Sequence, residues 1–177
     1  MIIFNRIWAM PNKNTFGIKP VKELISRYHN SSMVSVDPFA NSNRIAEHLN
    51  DLDPQYKTEN CMDAVVFLKT FERDSIDFVF YDPPYSSRQV SESYKKLGYV
   101  VNMETTQGSY WRKLKNEIAR IVKPGGLVLS CGWNSGGIGK TNGFEIIEIL
   151  LVPHGGIHND TIITVEKNLD KQILIIG

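Results

Sequence analysis

The chain has little of most things that announce a function. Its 177 residues hold two cysteines. Cys61 and Cys131 lie far apart and in no metal-binding or redox pattern. Both read as buried, reduced thiols of a cytosolic protein. The formal net charge is +1, so no global field draws in nucleic acid. Any such binding must rest on a local patch. No apolar run reaches the length of a membrane span. The apolar start "MIIFNRIWAM" is interrupted by Arg6 and followed by no small-residue cleavage site, so it does not read as a signal peptide. Repeats and low-complexity tracts are absent. "GWNSGGIGK", Trp133 to Lys140, is rich in glycine but lacks the spacing of a phosphate loop. "HGGIHND", with His154, His158 and Asp160, fits no strong metal-ligand spacing and reads as a hairpin loop. No metal site is expected.

What is present is ordinary in bulk. Apolar content of 42% and charged content of 22% suit one globular domain over residues 1–177, large enough to bury a proper core. "TFGIKPVKELISRY" predicts a turn feeding a helix. Pro20 suits the first helical turn, and Val21, Leu24, Ile25 and Tyr28 fall at helical spacing. "SMVSVDPF" predicts a strand ending at Asp37-Pro38. "RIAEHLNDLDP" predicts a short connection and a strand ending near Asp51. "NCMDAVVFLKTF" predicts a strand end at Asp63 and a helix from Ala64 to Phe71. "GSYWRKLKNEIARIVKPGG" is the clearest helix, with Trp111, Leu114, Ile118, Ile121 and Val122 on one face. Lys123-Pro124-Gly125-Gly126 stops it. "LVLSCGW" reads as a buried strand, and "FEIIEILLVPH" and "TIITVEKN" as a terminal hairpin. Alternating strands and helices with a final strand pair predict an open α/β sheet, which takes ligands at the carboxyl ends of its strands.

Four acids therefore fall at one predicted sheet edge: Asp37, Asp51, Asp63 and Asp82. Acids are common in strand-ending turns and helix caps, so a single one means little. Four in register mean more. The most distinctive stretch is "FVFYDPPYSSRQ", Phe78 to Gln89. There an apolar strand ends in an acid, two prolines and an aromatic ring.

These residues carry a resemblance. The chain resembles the S-adenosylmethionine-dependent DNA amino-methyltransferases, and more narrowly the small phage-type adenine methylases that consist of a catalytic domain alone. "DPPY", Asp82 to Tyr85, is similar to their catalytic motif. "DPF", Asp37 to Phe39, is similar to the start of their first cofactor motif. "NDLDP" and "MDA" resemble the second and third strand ends, and "FGIKP" resembles the segment that closes over the cofactor methionine. The match spans roughly residues 15 to 152.

The resemblance implies a Rossmann-like class I methyltransferase fold. Its sheet would be open, seven-stranded and mostly parallel, with an antiparallel terminal strand. It implies catalytic roles for Asp82, Pro83, Pro84 and Tyr85. It implies cofactor contacts from Phe16, Ile18, Lys19, Asp37, Pro38, Phe39, Asp51, Leu52, Asp63 and Ala64, with Asp51 on the ribose hydroxyls and Asp63 at the adenine. It implies an adenine-specific enzyme of DNA methylation in the cytoplasm of a bacterial or phage-infected cell. The setting would be restriction-modification, phage protection or regulation. One departure is plain. The family has a glycine-rich turn and a full helix after DPF, whereas "ANSNRIAEHL" has no glycine and leaves room for about one helical turn. No separate target-recognition domain is visible, so a homodimer or a separate specificity partner would serve.

The chemistry of DPPY follows from its residues. An exocyclic amine is a poor nucleophile because its lone pair is conjugated with the ring. Two acceptors on its N–H groups pull the nitrogen towards tetrahedral geometry. Asp82 supplies one, and the Pro83 carbonyl can supply the other. The prolines fix φ and stiffen the turn, and Tyr85 offers a stacking face. The protein mainly positions the reactants, so neither a metal nor a covalent enzyme intermediate is needed. A base in a duplex must be flipped out to enter.

The long polar segment from Arg88 to Lys113 sets Arg88, Lys95 and Lys96 among tyrosines. It reads as a nucleic-acid contact or lid, with a solvated connector as the alternative. Trp133, after a strand at the same edge, is a further nucleic-acid candidate. Two other readings stay open. One is methylation of cytosine N4 or of adenine in RNA. The other is a non-catalytic binding module that keeps the fold.

Overall fold

A computed structural model of the chain describes residues 1–98 and 108–169. Seven strands form one sheet in the order β1-β6-β7-β5-β4-β2-β3. They are β1 Ile3–Arg6, β2 Ser35–Asp37, β3 His48–Leu49, β4 Ile76–Tyr81, β5 Val122–Gly132, β6 Phe144–Val152 and β7 Thr161–Asn168. Four helices are described: α1 Lys19–Tyr28, α2 Ala64–Lys69, α3 Ser87–Lys96 and α4 Gly108–Ile121. Strands β1 to β6 all run in one direction, while β7 lies antiparallel between β5 and β6. The fold class expected from the sequence is the one observed.

Alternation along β4 explains the three layers. Phe78 and Phe80 face α1 and join a core with Phe16, Val21, Leu24, Leu129 and Val165. Val79 and Tyr81 face the other way and join α2 and α4 through Phe67, Leu114 and Ile118. Successive strand residues point to opposite faces, so a strand buried on both sides must be apolar throughout. Truncating the fully buried Phe80 to alanine should cost about 3–5 kcal/mol. Arg120 ties the two helices of the second layer together. Its guanidinium donates to the Phe71 and Leu68 carbonyls at the end of α2, at 2.8 and 3.0 Å.

The structure departs from the sequence reading at several places. Val122, read as part of the helix face, and residues 123–126, read as its stop, already belong to β5. Residues 38–47 form only turns and bends, so the expected single helical turn after β2 is not made. Asp63 does not end a strand. It caps α2, accepting from the Val65 and Val66 amides, and only an isolated bridge, Asn50 to Asn60, stands where a strand was expected. Residues 87–96 of the polar segment are helical, because Ser86 caps α3 by accepting from the Gln89 amide. Residues 99–107 of that segment lie outside the described residues. Residues 3–6, read only as an apolar start, form the edge strand β1. Finally, Cys131 is buried as expected but Cys61 is exposed, because it sits on the loop before α2 and not in the core.

His154 has a structural role. Its Nδ1 donates to the Ala9 carbonyl and its Nε2 pairs with the Thr161 hydroxyl, both at 2.8 Å. Both ring nitrogens are thus engaged in pinning the N-terminal segment to the β6–β7 hairpin. His158 and Asp160 are exposed, and no cluster suited to a metal occurs among the described residues.

Candidate active site

The carboxyl ends of β2, β3 and β4 converge with α2 and α3 on a cavity of about 370 Å³, within the usual range for small-molecule sites. Pro38, Phe39, Asp51, Leu52, Ala64, Asp82, Pro83, Pro84 and Tyr85 all reach its wall. These were named from sequence. Asp37, Asp63, Phe16, Ile18 and Lys19 do not line it. Phe16 and Ile18 are core residues, with Phe16 edge-on to Phe80; Lys13 and Thr15, just before them, reach the cavity instead.

The acids differ in what they do. Asp51 accepts from the Asn41 and Asp53 amides at 2.8 Å each, which binds the turn after β2 to the loop after β3. Burial raises its pKa, and those two amides oppose the rise. Asp37 is fully buried and accepts from the Phe39 amide. Its pKa is pushed well up, by burial first and then by the charges of Asp82 and Asp51. Asp63 uses one oxygen to cap α2 and the other to accept from the Tyr94 hydroxyl at 2.6 Å. Asp82 accepts from the Tyr85 hydroxyl. Burial raises the Asp82 pKa, while hydrogen bonds from Tyr85 and Thr15 pull it down.

Sequence reasoning missed α3 as a wall of this cavity. Gln89, Ser93, Tyr94, Lys96 and Leu97 face it. Three contacts hold the helix there. The Tyr85 amide donates to Gln89 Oε1 at 2.6 Å, Tyr94 donates to Asp63, and Lys96 pairs with Asp53 at 2.9 Å on the rim. Arg88 instead turns outward and pairs with Glu92 one turn on. Lys95 is exposed. The helical spacing of Gln89, Ser93 and Leu97 was the available signal.

A second cavity, of about 520 Å³, adjoins the first. Pro83, Pro84 and Tyr85 belong to both. Its other walls include Tyr81, Trp111, Lys115, Cys131 and Trp133. Trp111 Nε1 donates to the Pro84 carbonyl at 3.0 Å, and the Tyr85 and Trp133 rings meet edge to face at 5.5 Å. The Pro83 carbonyl carries no hydrogen bond among the described residues. The Tyr81 hydroxyl is buried without a partner there, and burial raises its pKa.

The loop holding Trp133 is fixed from below by Glu166. This buried carboxylate accepts from the Ile138 and Gly139 amides at 2.6 and 3.0 Å. Gly137, at φ +45°, lies so close over it that any Cβ would overlap the carboxylate. A glycine is therefore required at that point.

No protein-family model matches the chain, and no curated protein matches it. Solved structures do resemble it. TrmN from Thermus thermophilus superposes with a TM-score of 0.57 at 16% identity, over 86% of this chain and 49% of TrmN; the chain spans about half the length of that protein. The N-methyltransferase NodS from Bradyrhizobium japonicum, solved with S-adenosyl-L-homocysteine, gives 0.53 at 12% identity over 90% of each chain. The 1,6-didemethyltoxoflavin-N1-methyltransferase of Burkholderia thailandensis gives 0.52 at 10% identity, over 78% of this chain and 72% of that one. At these identities the likeness is one of fold. The fold is that of the Rossmann-like class I methyltransferases.

Proposed function

We propose that the chain transfers a methyl group from S-adenosylmethionine to the exocyclic N6 amine of adenine in DNA. One observation carries this reading. The Pro83-Pro84-Tyr85 turn is the wall shared by two cavities, with Asp82 on the side of the first. A group-transfer site needs two adjoining compartments that meet at the reacting atoms.

The first compartment suits the cofactor. Asp51, Asp53 and Asp82 line it, and three carboxylates favour a ligand with cationic centres and hydroxyls. Phe39, Leu52, Met62 and Tyr94 supply apolar and aromatic wall for a flat ring. S-adenosylmethionine, when bound, supplies an electrophilic methyl group. The remaining work falls to the chain. Asp51, which keeps lone pairs beyond those its two amide partners use, would accept from ribose hydroxyls. Asp63 orients Tyr94 and α2, and Ala64 beside it would help hold the adenine. Pro38 and Phe39 close the cavity from the end of β2.

The second compartment suits the target base. Among the described residues no carboxylate lines it, and its aromatic rings Tyr85, Trp111 and Trp133 favour a flat, neutral guest. Asp82 and the Pro83 carbonyl accept the two amine protons, freeing the nitrogen lone pair for attack. Tyr85 gives up its bond to Asp82 or shares it as the base enters. Asp82 is placed to take the proton that the amine releases.

The test is direct. Purified protein is incubated with labelled S-adenosylmethionine and either unmethylated DNA or unmethylated RNA, and the nucleosides are identified by mass spectrometry, with cofactor binding measured by calorimetry. N6-methyladenine supports the reading. N4-methylcytosine, or methylation of RNA alone, overturns the substrate. Absence of cofactor binding overturns the enzyme altogether and leaves a binding module.

A further inference from the structure

The edge strand β1 has no share in either cavity, yet it is the most apolar exposed surface described. Ile2, Ile3, Phe4, Ile7, Trp8 and Met10 are 45–68% exposed. β1 pairs only with β6. The ladder continues past it, with the Ile7 amide on the Leu151 carbonyl and the Ala9 amide on the Pro153 carbonyl. In a parallel pair both backbone groups of a residue point the same way. The odd residues are thus spent on β6, and the N–H and C=O of Phe4, Arg6 and Trp8 point away from the sheet. A long apolar edge with open backbone groups is a template for another strand.

We infer that a second copy of this chain docks here, β1 antiparallel to β1 about a two-fold axis at Asn5. Three observations favour a second copy. The first is self-complementarity. About Asn5 the strand pairs Ile3 with Ile7, Ile2 with Trp8, and Phe4 with Arg6. Arg6 is the only charged side chain among residues 1–12. This register sets it beside an aromatic ring, where a cation is attracted. Centring the pair on Arg6 would set two like charges opposite, which destabilises. Centring it on Phe4 would set Arg6 opposite Ile2, which offers the cation no ring.

The second observation is area. Phe4 and Trp8 are 62% and 60% exposed. Against about 150–250 Å² for a whole aromatic side chain, these two offer roughly 200–300 Å². The aliphatic and thioether side chains of Ile2, Ile3, Ile7 and Met10 enlarge the patch towards the roughly 800 Å² that each partner gives a standard interface. The third is a receptor for the pairing. Asn5 and Ile7 line, with α1, a cleft of about 220 Å³ floored by Pro20, Leu24 and Leu150. Asn5 is fixed there by donating to buried Glu148 at 2.9 Å. The contact is isologous and closes at two subunits, giving one sheet continuous through both. It does not depend on the function proposed above.

The experiment is light scattering on size-separated protein, across the micromolar range. The wild type should run at twice 20.1 kDa. Phe4→Pro removes an outward N–H and no bond to β6, a change edge strands tolerate; it should run as a monomer with unchanged circular dichroism. Should that variant misfold, Ile3→Lys replaces an exposed side chain and should give the same monomer. In a Cys61→Ser background, Asn5→Cys should form a disulfide-linked dimer under mild oxidation. A wild-type monomer at every concentration overturns the proposal. So does a dimer indifferent to both Phe4→Pro and Ile3→Lys. A dimer in which Asn5→Cys fails to cross-link overturns the register.

Discussion

The two cavities share a wall and little else. The first is rimmed by carboxylates, and every one of them already holds a hydrogen bond: Asp51 to two amides, Asp53 to Lys96, Asp82 to Tyr85. The second has aromatic walls, one lysine and a buried hydroxyl without a partner. Under the function proposed above, the difference teaches how one short motif would serve two ligands. Asp51 and Asp53 are preorganised by backbone amides, and Asp82 by the Tyr85 hydroxyl. That spares reorganisation when the ligand arrives. A flat base needs shape and stacking, which rigid rings on a pinned loop supply. The DPPY turn stands between the two and presents a different group to each.

The largest expected effect falls on the shared wall. Asp82→Ala should lower kcat by about 10²–10³-fold, the usual cost of removing one preorganised polar group from a reacting centre. Asp82→Asn should lose less, because an acceptor oxygen remains. Cofactor affinity, read by calorimetry, should change far less than kcat. The pH profile sharpens the point. Burial raises the Asp82 pKa from its ordinary value, and taking up the amine's proton needs the ionised form. Activity should therefore fall, as pH is lowered, before an ordinary carboxylate would titrate. The Asp82→Asn enzyme should lack that limb. An alanine variant that folds and turns over normally would remove Asp82 from the mechanism.

Next come the two compartments taken singly. Asp51→Ala should weaken S-adenosylmethionine binding by roughly 10- to 100-fold, from about 1.5–3 kcal/mol per bond to a charged group. DNA affinity should stay put. Trp133→Ala should do the reverse. Stacking is worth about 1–3 kcal/mol per base, so the DNA KM should rise by roughly 5- to 150-fold with cofactor affinity unchanged. If both variants moved both ligands alike, the compartments would not be separate sites.

Asp37 tests the electrostatics beneath. Its folded pKa is raised. Its contribution to stability is therefore fully present below the unfolded pKa and is lost as pH rises through the folded one. At neutral pH the ionised form is a net cost. Asp37→Asn keeps an acceptor for the Phe39 amide and should raise Tm at neutral pH, with the gain shrinking on acidification. A lower Tm at neutral pH would show that the charge is needed where it stands.

How much of this was legible beforehand follows from physical distance. Strand β4 and helix α4 announce themselves because burial on both faces, or along one stripe, leaves a local pattern. Asp51 and Asp82 were legible because strand ends put them at one edge. Helix α3 was not. Its sequence "SRQVSESYKK" buries only Val90, and what holds it is Tyr94 on Asp63 and Lys96 on Asp53, 31 and 43 residues away. Glu166 and Glu148 were illegible for the same reason, since nothing local says that a carboxylate will be buried and satisfied from across the sheet. Strand β1 was missed because it is exposed on both faces and so shows no alternation.

The smallest expected effect bears on that missed helix. Arg88, Lys95 and Lys96 form one basic patch in sequence, and replacing all three by alanine should weaken DNA binding. The structure divides them. Arg88 and Lys95 face outward, whereas Lys96 bridges to Asp53 across the rim of the first cavity. Lys96→Ala alone should therefore change S-adenosylmethionine affinity, and by no more than a few-fold, because exposed ion pairs contribute little. The change should shrink further as salt screens the pair in the wild type. Arg88→Ala with Lys95→Ala should touch only DNA, through a salt slope shallower by about 0.9 for each phosphate that is no longer neutralised. Calorimetry for the cofactor and a salt titration of DNA binding separate the two. Were Lys96→Ala to alter the DNA slope and leave cofactor affinity alone, α3 would belong to the nucleic-acid surface and the division between the cavities would run on its other side.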